Sequence, residues 1–201
     1  MTSWLTSDLH LGHTNIIGYT NRPYRDAEEM NVGLVMRWNS NVKPDDEVWV
    51  LGDVALGRLE DSLAWVGSLG GTKHLLPGNH DRMFRCEGEK YARACQRYID
   101  AGFVDVLGDS EVLYFGLTRV LACHFPYRGD SNDGHDDRYS SHRPEDRGGF
   151  LVHGHTHGLW RRNGRMVDVG VDAWGGYPVA FEAVAELFLS DDEHAEALPW
   201  A

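Results

Sequence analysis

The chain predicts an α/β fold with two layers of sheet and helices outside them, and three observations point to it. Up to Gly102, short apolar runs alternate with stretches of helical periodicity in the order β-α-β-α-β-α, the mark of a largely parallel sheet. Beyond Phe103 the texture turns strand-rich, which calls for a second sheet. Five of the apolar runs also stop at aspartate, asparagine or histidine, several of them beside glycine.

In chain order, residues 3–7 form a short strand that ends at Asp8-Leu9-His10. Asp26 caps a helix, with Glu29 three residues on, and Met30, Leu34, Val35, Trp38 and Val42 share its apolar face. Pro44-Asp45-Asp46 punctuates before a buried strand over 47–51, which stops at Gly52-Asp53. Leu59, Leu63, Val66 and Leu69 mark a second helix, halted by Gly70-Gly71. A strand over 73–76 leads into Pro77-Gly78-Asn79-His80-Asp81. Tyr91, Ala94, Cys95, Tyr98 and Ile99 define a third helix, closed by Gly102.

The strand-rich half comprises runs at 104–107, 111–115, 119–123, 150–153 and 166–169. Between them, residues 128–149 are polar with almost no apolar content. This long loop leaves after His124 and rejoins before His153, so it is a candidate lid. Residues 1–189 read as a single domain, and 190–201 as an acidic tail expected to fray.

Composition bounds the function. With 42% hydrophobic residues the chain can bury a substantial core. Its net charge of -12 argues against sequence-independent binding to long nucleic acid, which needs phosphate-neutralising lysine and arginine. A small phosphate ester held through cations remains compatible with that charge. Cys86, Cys95 and Cys123 lack zinc-type spacing and, with no secretory or membrane-spanning segment in sight, read as reduced thiols of a cytoplasmic protein. Nothing here indicates an oligomeric state.

The polar strand ends form a ligand inventory: Asp8, His10, Asp53, Asn79, His124, His153 and His155. Singly, an Asp or Asn beside Gly is a turn former, and a lone His124 is a core histidine. Together, two carboxylates, four imidazoles and an amide oxygen make a mixed N/O set without thiolate. Such a set suits Mn²⁺ foremost, or Fe, Zn²⁺ or Ni²⁺. In extended chain, residues i and i+2 share a face, so Asp8 with His10, and His153 with His155, can reach one centre. Seven donors exceed one tetrahedral ion and fit two divalent cations bridged by a carboxylate. His13 and His157 follow the motifs closely enough to border the site and contact substrate. Trp160 is a candidate for stacking on a base.

The ordered set Asp8-x-His10, Gly52-Asp53, Gly78-Asn79-His80-Asp81, His124 and His153-Gly154-His155 resembles the calcineurin-like metallophosphoesterase superfamily. Asn21-Arg22-Pro23 and the late Val171-Asp172-Ala173-Trp174 are similar to its small bacterial and bacteriophage members. The resemblance implies a four-layer α-β-β-α sandwich of two mixed sheets flanked by helices. It implies one cation on Asp8, His10 and His155, the other on Asn79, His124 and His153, with Asp53 between them. It places His80 off the metals, beside the leaving-group oxygen, as general acid, with Asp81 to orient it. The implied activity is hydrolysis of phosphodiesters by metal-activated hydroxide, with small or 2′,3′-cyclic nucleotides as the substrate class. A phosphomonoesterase or protein phosphatase is the alternative enzyme, although the segment after Asp53 lacks the Asp-Arg pattern of protein phosphatases. A non-catalytic metal-binding scaffold is the alternative outside catalysis.

Overall fold

Both faces of the first sheet are buried, and its side chains sort between them with period two. A computed structural model of the chain describes residues 1–130 and 138–200. Four strands run parallel: β1 (Ser3–Thr6), β2 (Glu47–Val50), β3 (Thr72–Leu75) and β4 (Asp105–Val106). Val48, Val50 and Leu75 enter a core shared with the helices. Leu5, Leu51 and Leu76 enter another, shared with the second sheet.

The helices are α1 (Thr14–Tyr19), α2 (Ala27–Asn41), α3 (Leu59–Leu63) and α4 (Gly88–Ala101). The α2 cap is as the sequence predicts: the Glu29 amide donates to Asp26 Oδ1 at 2.9 Å. Met30, Leu34 and Trp38 of α2 join Leu59, Leu63 and Val66 beneath the sheet. The second predicted helix shortens, because residues Ala64–Ser68 wind as a 3₁₀ turn with Gly67 inside it.

The second sheet contains β5 (Ser110–Phe115), β6 (Thr118–Cys123), β7 (Phe150–His153), β8 (Arg162–Asn163) and β9 (Met166–Asp168). After β10 (Val179–Ala180), which pairs antiparallel with β1, α5 (Phe181–Leu189) sends Val184 and Phe188 into the core between the sheets. The strand orders are β10-β1-β2-β3-β4, and β8-β9-β7-β6-β5 with one further strand at the β8 edge. The fold is therefore an α/β sandwich of two mixed sheets flanked by helices. No helix among the described residues is long and apolar enough to cross a membrane. Residues 131–137 of the candidate lid lie outside the described residues.

The further strand is a correction to the fraying expected of the tail. His194–Ala195, β11, pairs antiparallel with Arg162 and Asn163. The Leu198 amide then donates to the Ala173 carbonyl at 2.9 Å. The Trp200 ring meets Tyr24 edge-on at 5.7 Å and lies 5.5 Å from the Arg22 guanidinium carbon. Local acidity hid these partners, since every one of them is distant in sequence. We expect Trp200→Ala to lower stability by about 1–2 kcal/mol in urea unfolding, from lost aromatic packing and cation–π contact.

Candidate metal centre

The parallel strands deliver their carboxyl ends to one edge of the sandwich. There β1 runs into Asp8 and His10, β2 into Asp53, β3 into Asn79 and β6 into His124. Amide-to-carbonyl bonds lock these ends together, from Asp8 to Gly52 at 3.0 Å, His10 to Asp53 at 2.9 Å and Gly154 to His124 at 3.0 Å. Asp8, His10, Asp53, His155 and His157 all hold positive φ, between 50° and 69°. Left-handed backbone is uncommon for such residues and concentrates where side chains must be aimed. Gly78 and Gly154 are required for a different reason. A Cβ on Gly78 would overlap Asp53, and one on Gly154 would overlap Ser7 and Asp8.

Two clusters of donor atoms result: Asp8, His10 and His157, and Asp8, Asp53 and His124. Asp53 Oδ2 sits 3.6 Å from His10 Nε2 and 3.6 Å from His124 Nε2, midway between the two groups. Asn79 Oδ1 lies 3.0 Å from His124 Nε2 and 2.9 Å from His155 Nδ1, adding two donors on the His124 side. Six of the predicted ligands thus converge, but the pairing of the histidines differs from expectation. His157 stands with Asp8 and His10, and His155 stands with Asn79.

His153 belongs to neither cluster. It ends β7, its Nδ1 is 2.7 Å from the Gly154 carbonyl oxygen, and its ring lies edge-on to Trp160. The i, i+2 rule fails here because the chain leaves β7 at Gly154 and turns left-handed at both His155 and His157. Trp160 is itself buried against Gly129 and His153, so it offers no stacking face to a ligand. The tight Gly154-His155-x-His157 spacing is the sequence signal that matches the grouping of donor atoms in the structure.

The arrangement fits divalent cations. Asp8 Oδ1 and both ring nitrogens of His10 are buried without a hydrogen-bond partner, among groups that almost always have one. Asp8, Asp53 and Asp81 are buried carboxylates in one neighbourhood. Burial, and then Asp8 and Asp81, push the Asp53 carboxyl well above its ordinary range. Burial works against the charge of Asp8 too, but His157 and His124 outweigh it and leave that carboxyl below its usual value. Such a set of acidic, imidazole and amide donors is compatible with divalent metal ions.

Supporting residues complete the site. Asp172 Oδ2 is 3.0 Å from His157 Nδ1, which leaves Nε2 facing Asp8 Oδ1 at 4.0 Å. Burial opposes a charge on His157, yet the bond to Asp172 and the field of Asp8 raise it to about 9. Asp168 accepts from Thr156 Oγ1 at 2.6 Å and from the Gly158 amide at 3.2 Å, fixing the turn that carries both histidines. Burial, reinforced by Asp8, raises its carboxyl to about 7.

Asp81 accepts from the amides of Gly78, Asp53 and Val54 at 2.8, 2.8 and 3.1 Å. It therefore ties the loop bearing His80 to the loop bearing Asp53, rather than bonding the His80 ring it was expected to orient. His80 donates its amide to Asp53 Oδ1 at 2.8 Å, while its side chain is 42% exposed and reaches the open cavity. Burial, and then His124, lower its imidazole to about 4. His13 borders the same cavity, of about 610 Å³, across which Ile16 and Tyr19 of α1 form an apolar rim.

Fold and site together define an α/β sandwich with a polar centre suited to divalent cations at the strand ends. No protein-family model matches the chain. It is 35% identical over 184 residues to the gene 66 protein of Mycobacterium phage L5, covering 86% of this chain and 87% of that one. It is also 40% identical over 193 residues to protein MJ1445 of Methanocaldococcus jannaschii, covering 92% and 89%. The chain belongs to the same family as this phage gene 66 protein. A protein of unknown function from Aquifex aeolicus, AQ665, shares the fold with a TM-score of 0.66 at 20% identity, over 92% of this chain and 98% of that one.

Proposed function

We propose that the chain is a phosphoesterase that hydrolyses phosphodiesters with two divalent cations, Mn²⁺ foremost, acting on small or 2′,3′-cyclic nucleotides. The observation that carries this reading is the set of buried, unpartnered donor atoms on Asp8 and His10, facing Asp53 and beside an open cavity. Bound cations would supply Lewis acidity and neutralise the charge of the phosphoryl group. Asp8, His10 and His157 would hold one, and Asn79, His124 and His155 the other, with Asp53 between them.

The chain's own contribution is positional. Asp53 anchors the backbone of His80, so the half-open ring is fixed at the cavity beside the cluster. In the free protein its low value keeps the ring neutral at pH 7. The negative charge of a bound ester favours the protonated ring, and a protonated His80 passes its proton to the departing alkoxide. Ile16 and Tyr19 offer an apolar surface for a base. An ester whose leaving group is a poor alkoxide needs the proton donor that His80 supplies at the cavity.

With Mn²⁺ present, bis(4-nitrophenyl) phosphate should turn over faster than 4-nitrophenyl phosphate; the opposite order removes the diester assignment. With a 2′,3′-cyclic nucleotide, whose leaving group is an alkoxide, His80→Ala should lower kcat by about 10²–10⁴-fold, the usual worth of a general acid. Elemental analysis of that variant should return the parent's metal content, and loss of both metals would show His80 to be a ligand instead.

A further inference from the structure

The cavity above the cluster does not end at His80. A second cavity, of about 420 Å³, shares Asn79 and His80 with the first and continues past Asp81 to Arg82, Arg85 and Tyr139. Arg82 and Arg85 are exposed, and neither has an ion-pair partner among the described residues. Nearby arginines differ in this respect, since Arg93 pairs with Glu89 and Arg97 with Glu60. Two unpaired guanidinium groups on one wall stand out on a chain of net charge -12. They form a positive end to a groove whose other end is the donor cluster.

Tyr139 supplies the facing wall. It holds positive φ at 59°, and its ring stands edge-on to Phe84 at 5.8 Å and to His155 at 5.7 Å. The aromatic wall is therefore tied to the metal-centre side of the cavity rather than free to swing. Guanidinium groups recognise phosphate through paired N–H donors, and an unpaired arginine in a groove is suited to that task.

Resting on the phosphodiesterase reading, we infer that Arg82 and Arg85 bind a second phosphate of the substrate, on the leaving-group side of the scissile linkage beyond His80. The substrate class is then a nucleotide carrying a terminal phosphate in addition to its diester, such as a short phosphorylated oligonucleotide. A plain 2′,3′-cyclic mononucleotide, with one phosphate, leaves the arginine subsite unfilled. The short reach of the groove, on a chain of net charge -12, agrees with a small substrate rather than a polymer.

A binding measurement tests this without relying on turnover. Titrated into Mn²⁺-loaded protein by calorimetry, thymidine 3′,5′-bisphosphate should bind about ten-fold more tightly than either thymidine 3′- or 5′-monophosphate. Arg82→Ala/Arg85→Ala should abolish that advantage and leave monophosphate affinity unchanged. Arg85→Ala alone, which removes one exposed side chain, should remove part of it. Equal affinity for bisphosphate and monophosphates in the parent, or an advantage that survives in the double variant, overturns the inference. Turnover of bis(4-nitrophenyl) phosphate, which has no second anion, should be the same in parent and double variant. Absence of that turnover in the parent counts against the phosphodiesterase reading alone, because the binding comparison stands without it.

Discussion

Asp53→Asn should empty the centre of metal and lower turnover by about 10³-fold or more, because the lost charge-stabilisation amounts to several kcal/mol. Asp53 Oδ2 is equidistant from His10 and His124, and its other oxygen holds the His80 amide, so one carboxylate ties both clusters to His80. Asparagine keeps the shape and one oxygen but loses the charge that the proposed pair of cations would share. The metal-free protein should respond in the opposite direction. Burial and the neighbouring Asp8 and Asp81 raise the Asp53 carboxyl in the folded chain, which penalises the fold as pH rises above the range of an unfolded carboxyl. Removing that group should therefore stabilise the metal-free protein at neutral pH by about 1–2 kcal/mol, a trade of stability against activity that functional sites commonly show. Elemental analysis of the purified variant and calorimetric melting after chelation check the two halves. Retained metal, or a metal-free variant less stable than its parent, would contradict the role.

The parts of this site that were legible in the sequence are those set by strand endings. Asp8, His10, Asp53, Asn79 and His124 each follow an apolar run, and the run itself announces both the strand and the place where it stops. The same local logic identified α2 and α4, whose apolar residues recur with helical spacing. It failed where the chain turns rather than extends. Period-two reasoning paired His153 with His155, but two left-handed residues after Gly154 swing His155 and His157 into the centre and leave His153 in the core. It also passed over α1, six residues long with Gly18 inside, and α5, although Phe181, Val184 and Phe188 recur there at helical spacing. Tail pairing and the buried ion pair were invisible for another reason. Arg22 meets Asp172 across 150 residues, and nothing local to either one states that they touch.

That pair supports the second large effect. The Arg22 side chain is fully buried and donates to Asp172 twice, from Nε at 2.9 Å and from Nη2 at 2.8 Å. It also donates to the carbonyl of Asp8 at 2.8 Å and of Leu9 at 2.9 Å, so it holds the first ligand loop from behind. Burial opposes ionisation of Asp172, but Arg22 and His157 override it and keep the carboxyl well below its ordinary range. Arg22→Ala strands a buried carboxylate and should cost about 3–5 kcal/mol of stability. Arg22→Lys should recover little, since one ammonium cannot reproduce the fork that grips Asp172 and two carbonyls. Asp172→Asn separates support from folding. It keeps the volume and some hydrogen bonding but no longer fixes His157 for binding, so affinity at the Asp8–His10–His157 position should fall about 10–100-fold. The position built on Asn79, His124 and His155 does not touch Asp172 and should hold its metal as before. A Mn²⁺ titration of this variant should therefore resolve into one weakened and one unchanged step, whereas equal weakening of both would mean that Asp172 acts on the whole fold and not through His157.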